Sequence, residues 1–316
     1  MDVAARTDDT HREILGFLPA DMFDFTDLQS AVARLMSMLT ATPTEPQSAV
    51  LIEDHHVTAT DGHQIMIRIY RPREPRVPSP CLYWMHGGGL VLGNVAMEDA
   101  RCAEVAQQLN IVVASVEYRL APAFPFPVPL NDCYAGLEWL AGSADSLGLD
   151  SALIAIGGGS SGGGLAASLA MLARDRGKVR PCFQLLRYPM IDDRNTTASS
   201  HEITDQRVWS RSTNLVAWNA YLGAAAGSST VAPYAAAARA TDLTGLPPAI
   251  ITVGELDMFL DEDIDYARRL VAAGVSTELH VYPKCIHGSD ALVPHSETVQ
   301  RWKRDEMDAL NRALNG

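Results

Sequence analysis

Residues 153–167 read LIAIGGGSSGGGLAA and pass from an apolar run typical of a β-strand to an Ala- and Leu-rich run typical of an α-helix. Two serines lie between the glycines at the point of change. A chain that reverses sharply from strand to helix needs small residues on both sides of the turn, and a serine at its tip is left exposed. The stretch therefore has the layout of a nucleophile elbow, Gly-x-Ser-x-Gly, in two frames that are centred on Ser160 and on Ser161.

The same glycines allow two other interpretations. A glycine-rich run can be only a flexible turn, and Gly157, Gly159 and Gly162 also satisfy Gly-x-Gly-x-x-Gly, the fingerprint of a dinucleotide-binding site between a strand and a helix. A phosphate-binding P-loop is excluded because no Lys-Ser or Lys-Thr pair closes the run. The choice between an elbow and a dinucleotide site depends on the rest of the chain.

Length, composition and charge narrow the class of protein. The chain has 316 residues, of which 47% are hydrophobic, enough to bury a large core in a single α/β domain with insertions. Its net charge of -13 argues against nucleic acid as a partner, because no basic cluster is present to neutralise phosphates. The same charge disfavours docking to an anionic membrane surface.

The cysteines and the N-terminus indicate the compartment. The five cysteines are widely spaced and form no Cys-x-x-Cys pair, so buried reduced thiols are expected in place of disulfides or a zinc site. The acidic N-terminus lacks the apolar core of a signal peptide, and no apolar run is long enough to span a bilayer. We therefore expect a soluble protein of the cytoplasm without membrane insertion.

The order of the predicted elements indicates the fold class. Residues 1–45 are predicted to be helical, with an apolar stripe from Phe25 to Leu39. A two-stranded hairpin follows, and six further strands, the later ones separated by helices, occupy the rest of the chain. This order predicts an α/β fold with an eight-stranded, mostly parallel sheet, helices on both faces and an antiparallel hairpin at its start.

One segment interrupts the alternation of strands and helices. About 60 residues of aromatic-rich, helical character separate the strand that ends at Tyr188 from the strand that starts at Pro248, so we expect an insertion that folds over part of the molecule. The chain is divided into an N-terminal helical region, a first core part, an insertion and a second core part, at residues 1–45, 46–190, 191–232 and 233–316.

Polar groups suited to acyl transfer follow four of the predicted strands. This reaction at a serine needs a base, an acid that orients the base, and donors for the oxyanion. The loops are His86-Gly87-Gly88-Gly89, the elbow, a loop that ends in Asp257 and a loop that contains His287. Loops at the carboxyl ends of parallel strands meet at one edge of a sheet. A dinucleotide site explains none of the other three loops, so acyl transfer is favoured.

Each candidate also has a more ordinary interpretation. An aspartate after a strand is often a helix cap, and Glu255, Asp261 and Asp263 lie close to Asp257 in the sequence. His86 is interpreted as an anchor of the glycine loop through hydrogen bonding and not as a base. The remaining histidines are interpreted as core or surface residues: His11, His55, His56, His63, His201, His280 and His295.

In these motifs the chain resembles the hormone-sensitive-lipase-like esterases of the α/β-hydrolase fold. The resemblance spans most of residues 50–316. It rests on His86-Gly87-Gly88-Gly89, Tyr118-Arg119-Leu120-Ala121-Pro122 with Pro125-Phe126-Pro127, the elbow, Asp257 with Asp261-Glu262, and His287-Gly288. The resemblance implies an α/β-hydrolase fold with a helical cap, formed here by residues 1–45 and 191–232.

The resemblance also implies an activity and the residues that perform it. Ser160 would be the nucleophile, Asp257 the acid and His287 the base, while Gly88, Gly89 and the N–H of Ser161 would form the oxyanion hole. The implied protein is a carboxylesterase for small esters with short- to medium-chain acyl groups, without metal or cofactor, and often a homodimer. A lactonase or amidase with the same triad and a non-catalytic ligand-binding protein on this fold are the alternatives.

Three residues depart from the pattern of that family. Gly159 occupies the position before the nucleophile, where the family usually has an acidic residue, and Ser161 the next position, where alanine is common. Ser289 follows His287-Gly288, where phenylalanine is frequent. None of these departures removes a catalytic group. They affect the rigidity expected of the elbow and the shape of the acyl and alcohol pockets.

Overall fold

The structure is a computed structural model that describes residues 2–40 and 50–316, with the side chains of residues 39 and 40 left aside. The predicted boundary between the first two regions, at residues 45 and 46, lies outside the described residues. So does the side chain of Leu39, the last member of the predicted apolar stripe.

A sheet of eight strands crosses the middle of the molecule, in the order β1-β2-β4-β3-β5-β6-β7-β8. The strands are β1 (Val50–Thr58), β2 (Gln64–Pro72), β3 (Ser79–Met85), β4 (Val112–Glu117), β5 (Leu149–Gly159), β6 (Phe183–Arg187), β7 (Ala249–Leu256) and β8 (Thr277–Ile286). β2 pairs antiparallel with β1 and with β4, and the other pairs are parallel. The predicted mostly parallel sheet with an initial antiparallel hairpin is confirmed.

Helices cover both faces of this sheet. The α-helices of the described ranges are α1 (Val3–Arg6), α2 (Asp9–Phe17), α3 (Leu28–Thr40), α4 (Asp99–Leu109), α5 (Val128–Gly142), α6 (Ala144–Leu147), α7 (Ser161–Arg176), α8 (Ala198–Glu202), α9 (Arg211–Leu222), α10 (Leu260–Ala272), α11 (Ser289–Leu292) and α12 (Glu297–Asn315). None of the helices in residues 2–40 and 50–316 is long and apolar enough to cross a membrane.

The strand β3 shows why the sheet is covered on both sides. All seven of its residues are buried. Tyr83 and Met85 pack in the same apolar cluster as α5, α7 and α10, whereas Leu82 and Trp84 pack in the cluster that contains α4 and α12. Successive side chains of a strand point to opposite faces. A strand buried on both faces therefore needs a continuous apolar run, as this sequence has.

The N-terminal residues and the insertion contact each other above the sheet. The N–H of Phe23 donates to the carbonyl oxygen of Gln206 at 2.9 Å, and the hydroxyl of Thr213 donates to the carbonyl oxygen of Phe23 at 2.6 Å. The ring of Phe25 meets that of Trp209 edge-on, with 5.6 Å between centroids. These contacts join residues of the first and third predicted regions, whose boundaries stay a prediction.

Candidate active site

The turn between β5 and α7 presents Ser160 at its tip. Ser160 follows the last residue of β5, precedes Ser161 at the start of α7, and has φ 56° and ψ -121°. Its N–H donates to the carbonyl oxygen of Arg187 at 2.9 Å, and its own carbonyl oxygen accepts from Met190 and Gly164, both at 3.0 Å. A non-glycine residue rarely adopts a positive φ, so these backbone bonds maintain a strained conformation.

Glycines allow the turn to pack this closely. A Cβ atom on Gly162 would lie 2.1 Å from the carbonyl oxygen of Met85 in β3, and one on Gly158 would lie 2.2 Å from the carbonyl carbon of Gly162. A Cβ on Gly164 would lie 2.1 Å from the carbonyl oxygen of Met190. No other amino acid fits at these three positions without displacing backbone.

The side chains of Ser160, His287 and Asp257 form a continuous chain of hydrogen bonds. His287 Nε2 lies 3.0 Å from Ser160 Oγ, and His287 Nδ1 lies 2.7 Å from Asp257 Oδ2. The carboxyl group of Asp257 is buried, and its other oxygen accepts the N–H of Phe259 at 3.0 Å. Since an ionised carboxylate only accepts, Nδ1 carries the proton and the lone pair of Nε2 faces the serine hydroxyl.

The other acids near Asp257 have different partners. Glu255 accepts from Arg6 at 2.9 Å and from the N–H of Lys284 at 2.9 Å. Asp261 accepts the N–H of Ser199 at 2.8 Å. Asp263 is buried without a hydrogen-bond donor in the described part of the chain, and burial raises its pKa. Of the four acids considered from the sequence, Asp257 is the one that reaches His287.

The glycine loop after β3 lies beside Ser160 and His287. Gly88 and Gly89 have φ of 122° and 62°, and a Cβ on either would collide with Leu92 or with the indole of Trp209. Both glycines line the cavity that contains Ser160 and His287, and within the described residues their N–H groups have no hydrogen-bond acceptor. The N–H of Ser161, as the first residue of α7, has no acceptor within its helix.

His86 supports this loop from below. Its ring is buried and stacks on Tyr118 with 4.2 Å between centroids, and Nδ1 lies 2.8 Å from the carbonyl oxygen of Gly87. The hydroxyl of Tyr118 donates to the carbonyl oxygen of His86 at 2.7 Å. Burial lowers the pKa of His86 to about 4, so the ring is neutral at pH 7. A neutral, buried ring in these contacts holds backbone in position.

The cavity above Ser160 has a volume of about 430 Å³. Phe23 from the N-terminal segment and Trp209 from the insertion contribute apolar walls beside Leu92. Charged side chains line it as well: Glu98, Arg101, Glu104, Arg187, Asp290 and Lys303. The two regions outside the sheet thus help to enclose the space in which a ligand of Ser160 would lie.

A buried ion cluster beside the elbow was not expected from the sequence. Arg187, which is 2% exposed, donates to Asp290 at 2.6 Å and to Glu306 at 3.0 Å. Burial opposes its charge, but the carboxylates of Glu306 and Asp290 outweigh burial and raise the pKa of Arg187. The hydroxyl of Tyr188 donates to Asp290 at 2.6 Å, and its ring meets His287 edge-on at 4.5 Å. The one sequence feature that could have indicated this cluster is an arginine at the end of the mostly apolar strand β6.

This cluster lies next to Gly159, the residue before Ser160. A Cβ on Gly159 would lie 3.8 Å from the ring of Tyr188 and 4.0 Å from Cδ of Arg187, which is ordinary van der Waals distance. A methyl group at this position therefore fits without rearrangement. The turn stays fixed although residue 159 is glycine, because the neighbouring Ser160 is held by three backbone hydrogen bonds.

Known proteins resemble this chain over most of its length. The family described as the α/β hydrolase fold matches residues 82–290. Carboxylesterase NlhH of Mycobacterium tuberculosis is 35% identical over 278 residues, which make up 87% of this chain and 86% of that protein. An ethyl acetate hydrolase of Pseudomonas putida is 33% identical over 242 residues, or 75% of this chain and 74% of that protein.

A solved structure agrees with the chain still more fully. The structure named bacterial heroin esterase superposes with a TM-score of 0.94 at 40% sequence identity, and the match covers 98% of both chains. Such a superposition includes the N-terminal helices and the insertion as well as the sheet.

Proposed function

This chain belongs to the hormone-sensitive-lipase-like family of the α/β-hydrolase fold and is a carboxylesterase, and we propose that it hydrolyses short- to medium-chain acyl esters with Ser160, His287 and Asp257 as its triad. The observation that carries the proposal is the pair of hydrogen bonds, 3.0 Å and 2.7 Å long, that joins these three side chains. A base that touches both the nucleophile and a buried acid is the arrangement that acyl transfer requires.

The proposed reaction begins with proton transfer from Ser160 Oγ to His287 Nε2 as the oxygen attacks the ester carbonyl carbon. Asp257 keeps the proton on Nδ1 and stabilises the imidazolium that forms. The N–H groups of Gly88, Gly89 and Ser161 then donate to the oxyanion, and each such donor contributes roughly 3 kcal/mol in the transition state. His86 keeps the loop of Gly88 and Gly89 in place.

The second half of the proposed reaction uses the same groups in reverse. The imidazolium protonates the leaving alcohol oxygen, which leaves an acyl group on Ser160. His287 then takes a proton from water, and the resulting hydroxide attacks the acyl carbonyl carbon. Collapse of this intermediate breaks the bond to Ser160 Oγ, which recovers its proton from His287 and releases the acid.

The size and walls of the cavity suit a small acyl group. Its volume of about 430 Å³ lies within the usual range for small-molecule sites, and the apolar walls of Phe23, Leu92 and Trp209 suit an alkyl chain. The name of the relative from Pseudomonas putida, ethyl acetate hydrolase, points the same way. In this proposal residues 1–45 and 191–232 form a cap that limits the length of the acyl chain.

A panel of chromogenic esters tests this proposal. p-Nitrophenyl esters of increasing acyl length should give the highest kcat/KM for short and medium chains, with a decline for long ones. A panel of lactones and anilides measured beside them decides between the alternatives. Faster cleavage of lactones or amides would assign the same triad to those bonds, and a folded protein that cleaves none would indicate a binding protein.

We also propose that the protein is a homodimer and resides in the cytoplasm. The outer strand β8 leaves Leu279 and Val281 exposed at the edge of the sheet, which suits pairing with a second copy. All five cysteines are free thiols, in line with a reducing compartment. Light scattering of the wild type and of Val281→Lys would test the dimer, which the charge should weaken.

A further inference from the structure

A histidine from the N-terminal helices contacts the loop that carries His287. His11 in α2 is fully buried, and its Nε2 lies 2.9 Å from Oγ of Ser289. Ser289 is also fully buried and follows His287 by two residues. The two partners are 278 positions apart in the sequence, so the contact exists only because the N-terminal segment packs on this loop.

Ser289 in turn holds the residue that precedes His287. Its Oγ accepts the N–H of Ile286 at 2.8 Å and lies 2.8 Å from the carbonyl oxygen of the same residue. Ile286 pairs with Leu256 at the end of β7, and Leu256 precedes Asp257 directly. The hydroxyl of Ser289 therefore connects the loop of the base to the strand that carries the acid.

Asp8 sets the direction of the His11 ring. Asp8 Oδ1 accepts the backbone N–H of His11 at 2.9 Å and lies 2.7 Å from Nδ1. An ionised carboxylate only accepts, so Nδ1 carries a proton and Nε2 is directed at Ser289. A hydroxyl can donate one hydrogen bond and accept two, and the hydroxyl of Ser289 has both His11 and Ile286 as partners. The ring of His11 thereby restricts the rotation of that hydroxyl.

A second contact joins the same helices to the end of β7, which precedes the acid, and through it to β8, which precedes the base. Arg6 in α1 donates to Glu255 at 2.9 Å, and Glu255 also accepts the N–H of Lys284 at 2.9 Å. Glu255 lies two residues before Asp257, and Lys284 lies three residues before His287. The N-terminal helices thus contact the end of β7 as well as the loop that carries the base.

We propose that His11 is a positioning residue for the esterase reaction, acting through Ser289 to keep His287 at hydrogen-bond distance from Ser160. The proposal rests on the function proposed above.

Two variants of similar size separate the role of each ring nitrogen. The amide of glutamine can place its oxygen where Nε2 lies and accept there, so His11→Gln keeps a hydrogen-bond partner for Ser289. The amide of asparagine can take the place of Nδ1, so His11→Asn keeps only the contact with Asp8. Because small displacements of a catalytic group are costly, His11→Asn should lower kcat for p-nitrophenyl butyrate by on the order of 10-fold with KM unchanged. His11→Gln should stay within about twofold of the wild type.

A control in the same helix separates positioning from loss of stability. Leu15 is buried in α2, and Leu15→Ala should lower Tm while leaving kcat of the folded enzyme unchanged. All rates are measured at a temperature where circular dichroism shows each variant folded. Equal kcat for His11→Asn and His11→Gln, or a loss that Leu15→Ala shares, would overturn the positioning role alone. A wild type without esterase activity would overturn the proposed function and the positioning role together.

Discussion

The two loops that meet at the active site are held in place by different kinds of contact. Ser160 is held by three backbone hydrogen bonds and by glycines that let the elbow press against β3. His287 is held by side chains, namely the carboxylate of Asp257 and the ring of Tyr188. A third side chain, Ser289, fixes the loop of His287 through its hydroxyl. The serine side is therefore built from a local motif, whereas the histidine side depends on residues far apart in the sequence.

The largest effect should come from the serine side. Ser160→Ala should lower turnover by about 10⁶, as expected for a serine hydrolase that loses its nucleophile. Ser161→Ala should be nearly silent, because the proposed role of Ser161 uses only its backbone N–H. Treatment with an organophosphonate followed by mass spectrometry should locate the adduct on Ser160. An adduct on Ser161, or an active Ser160→Ala, would reverse the assignment.

The next effect concerns the acid on the histidine side. Asp257→Asn should keep the fold and lower kcat by about 10⁴, because an amide can donate to Nδ1 and so favours the wrong tautomer of His287. Turnover at pH 7 and a circular dichroism spectrum measure the two parts of this prediction. Near-full turnover in the variant would move the role of the acid to Glu255 or Asp261.

A matched pair of glycine variants tests how closely the elbow must pack. Gly162→Ala places a Cβ atom 2.1 Å from the carbonyl oxygen of Met85, so we expect a loss of about 1–3 kcal/mol in the free energy of unfolding. Displacement of the nucleophile should also lower kcat by about 10². Gly159→Ala meets no atom closer than 3.8 Å and should change neither quantity appreciably. Equal effects of the two variants would contradict a backbone-built elbow.

The last effect concerns the pH dependence of stability on the side of the glycine loop. Burial lowers the pKa of His86 from 6.5 to about 4. Between these pH values the unfolded chain binds a proton that the native ring does not. The free energy of unfolding should therefore fall by about 1.4 kcal/mol per unit as the pH falls through this window, owing to His86.

Replacement of the ring measures this contribution of His86 directly. His86→Gln should remove most of that slope in urea unfolding experiments carried out between pH 6.5 and pH 4. The native state of the variant has no imidazole at this position to exclude a proton, and its unfolded state binds none there. An unchanged slope would mean that other groups set the loss of stability in acid.

The sheet could be predicted because the burial of its strands is visible as apolar runs in the sequence. Strands buried on both faces are continuous apolar runs, and the later ones alternate with helices, which predicts a parallel sheet. The N-terminal segment was predicted only coarsely. One apolar stripe was expected from Phe25 to Leu39, but three helices occupy residues 3–40 and Phe25 lies before the third, against Trp209. Short helices in this segment depend on packing more than on their own periodicity.

The histidine at position 11 shows the limit of local reasoning. It was interpreted as an ordinary core or surface residue, because nothing near it in the sequence suggests chemistry. Its burial against Ser289 becomes visible only once α2 packs on the catalytic loop. Arg187 is similar, since its partner Glu306 lies on α12, 119 positions away.

The sequence by itself determined the candidate elbow, the glycine loop and the order of the four loops along the chain. Tight backbone turns require glycine at particular positions, and such a requirement is visible in a single short stretch. The family resemblance implied Ser160 and Asp257, and the tertiary structure shows Ser160 at the tip of the turn and Asp257 in contact with His287. The tertiary structure alone decided which distant side chains support the loop of the base. The contacts of a side chain depend on how distant helices and strands pack together, and no local pattern of residues indicates that packing.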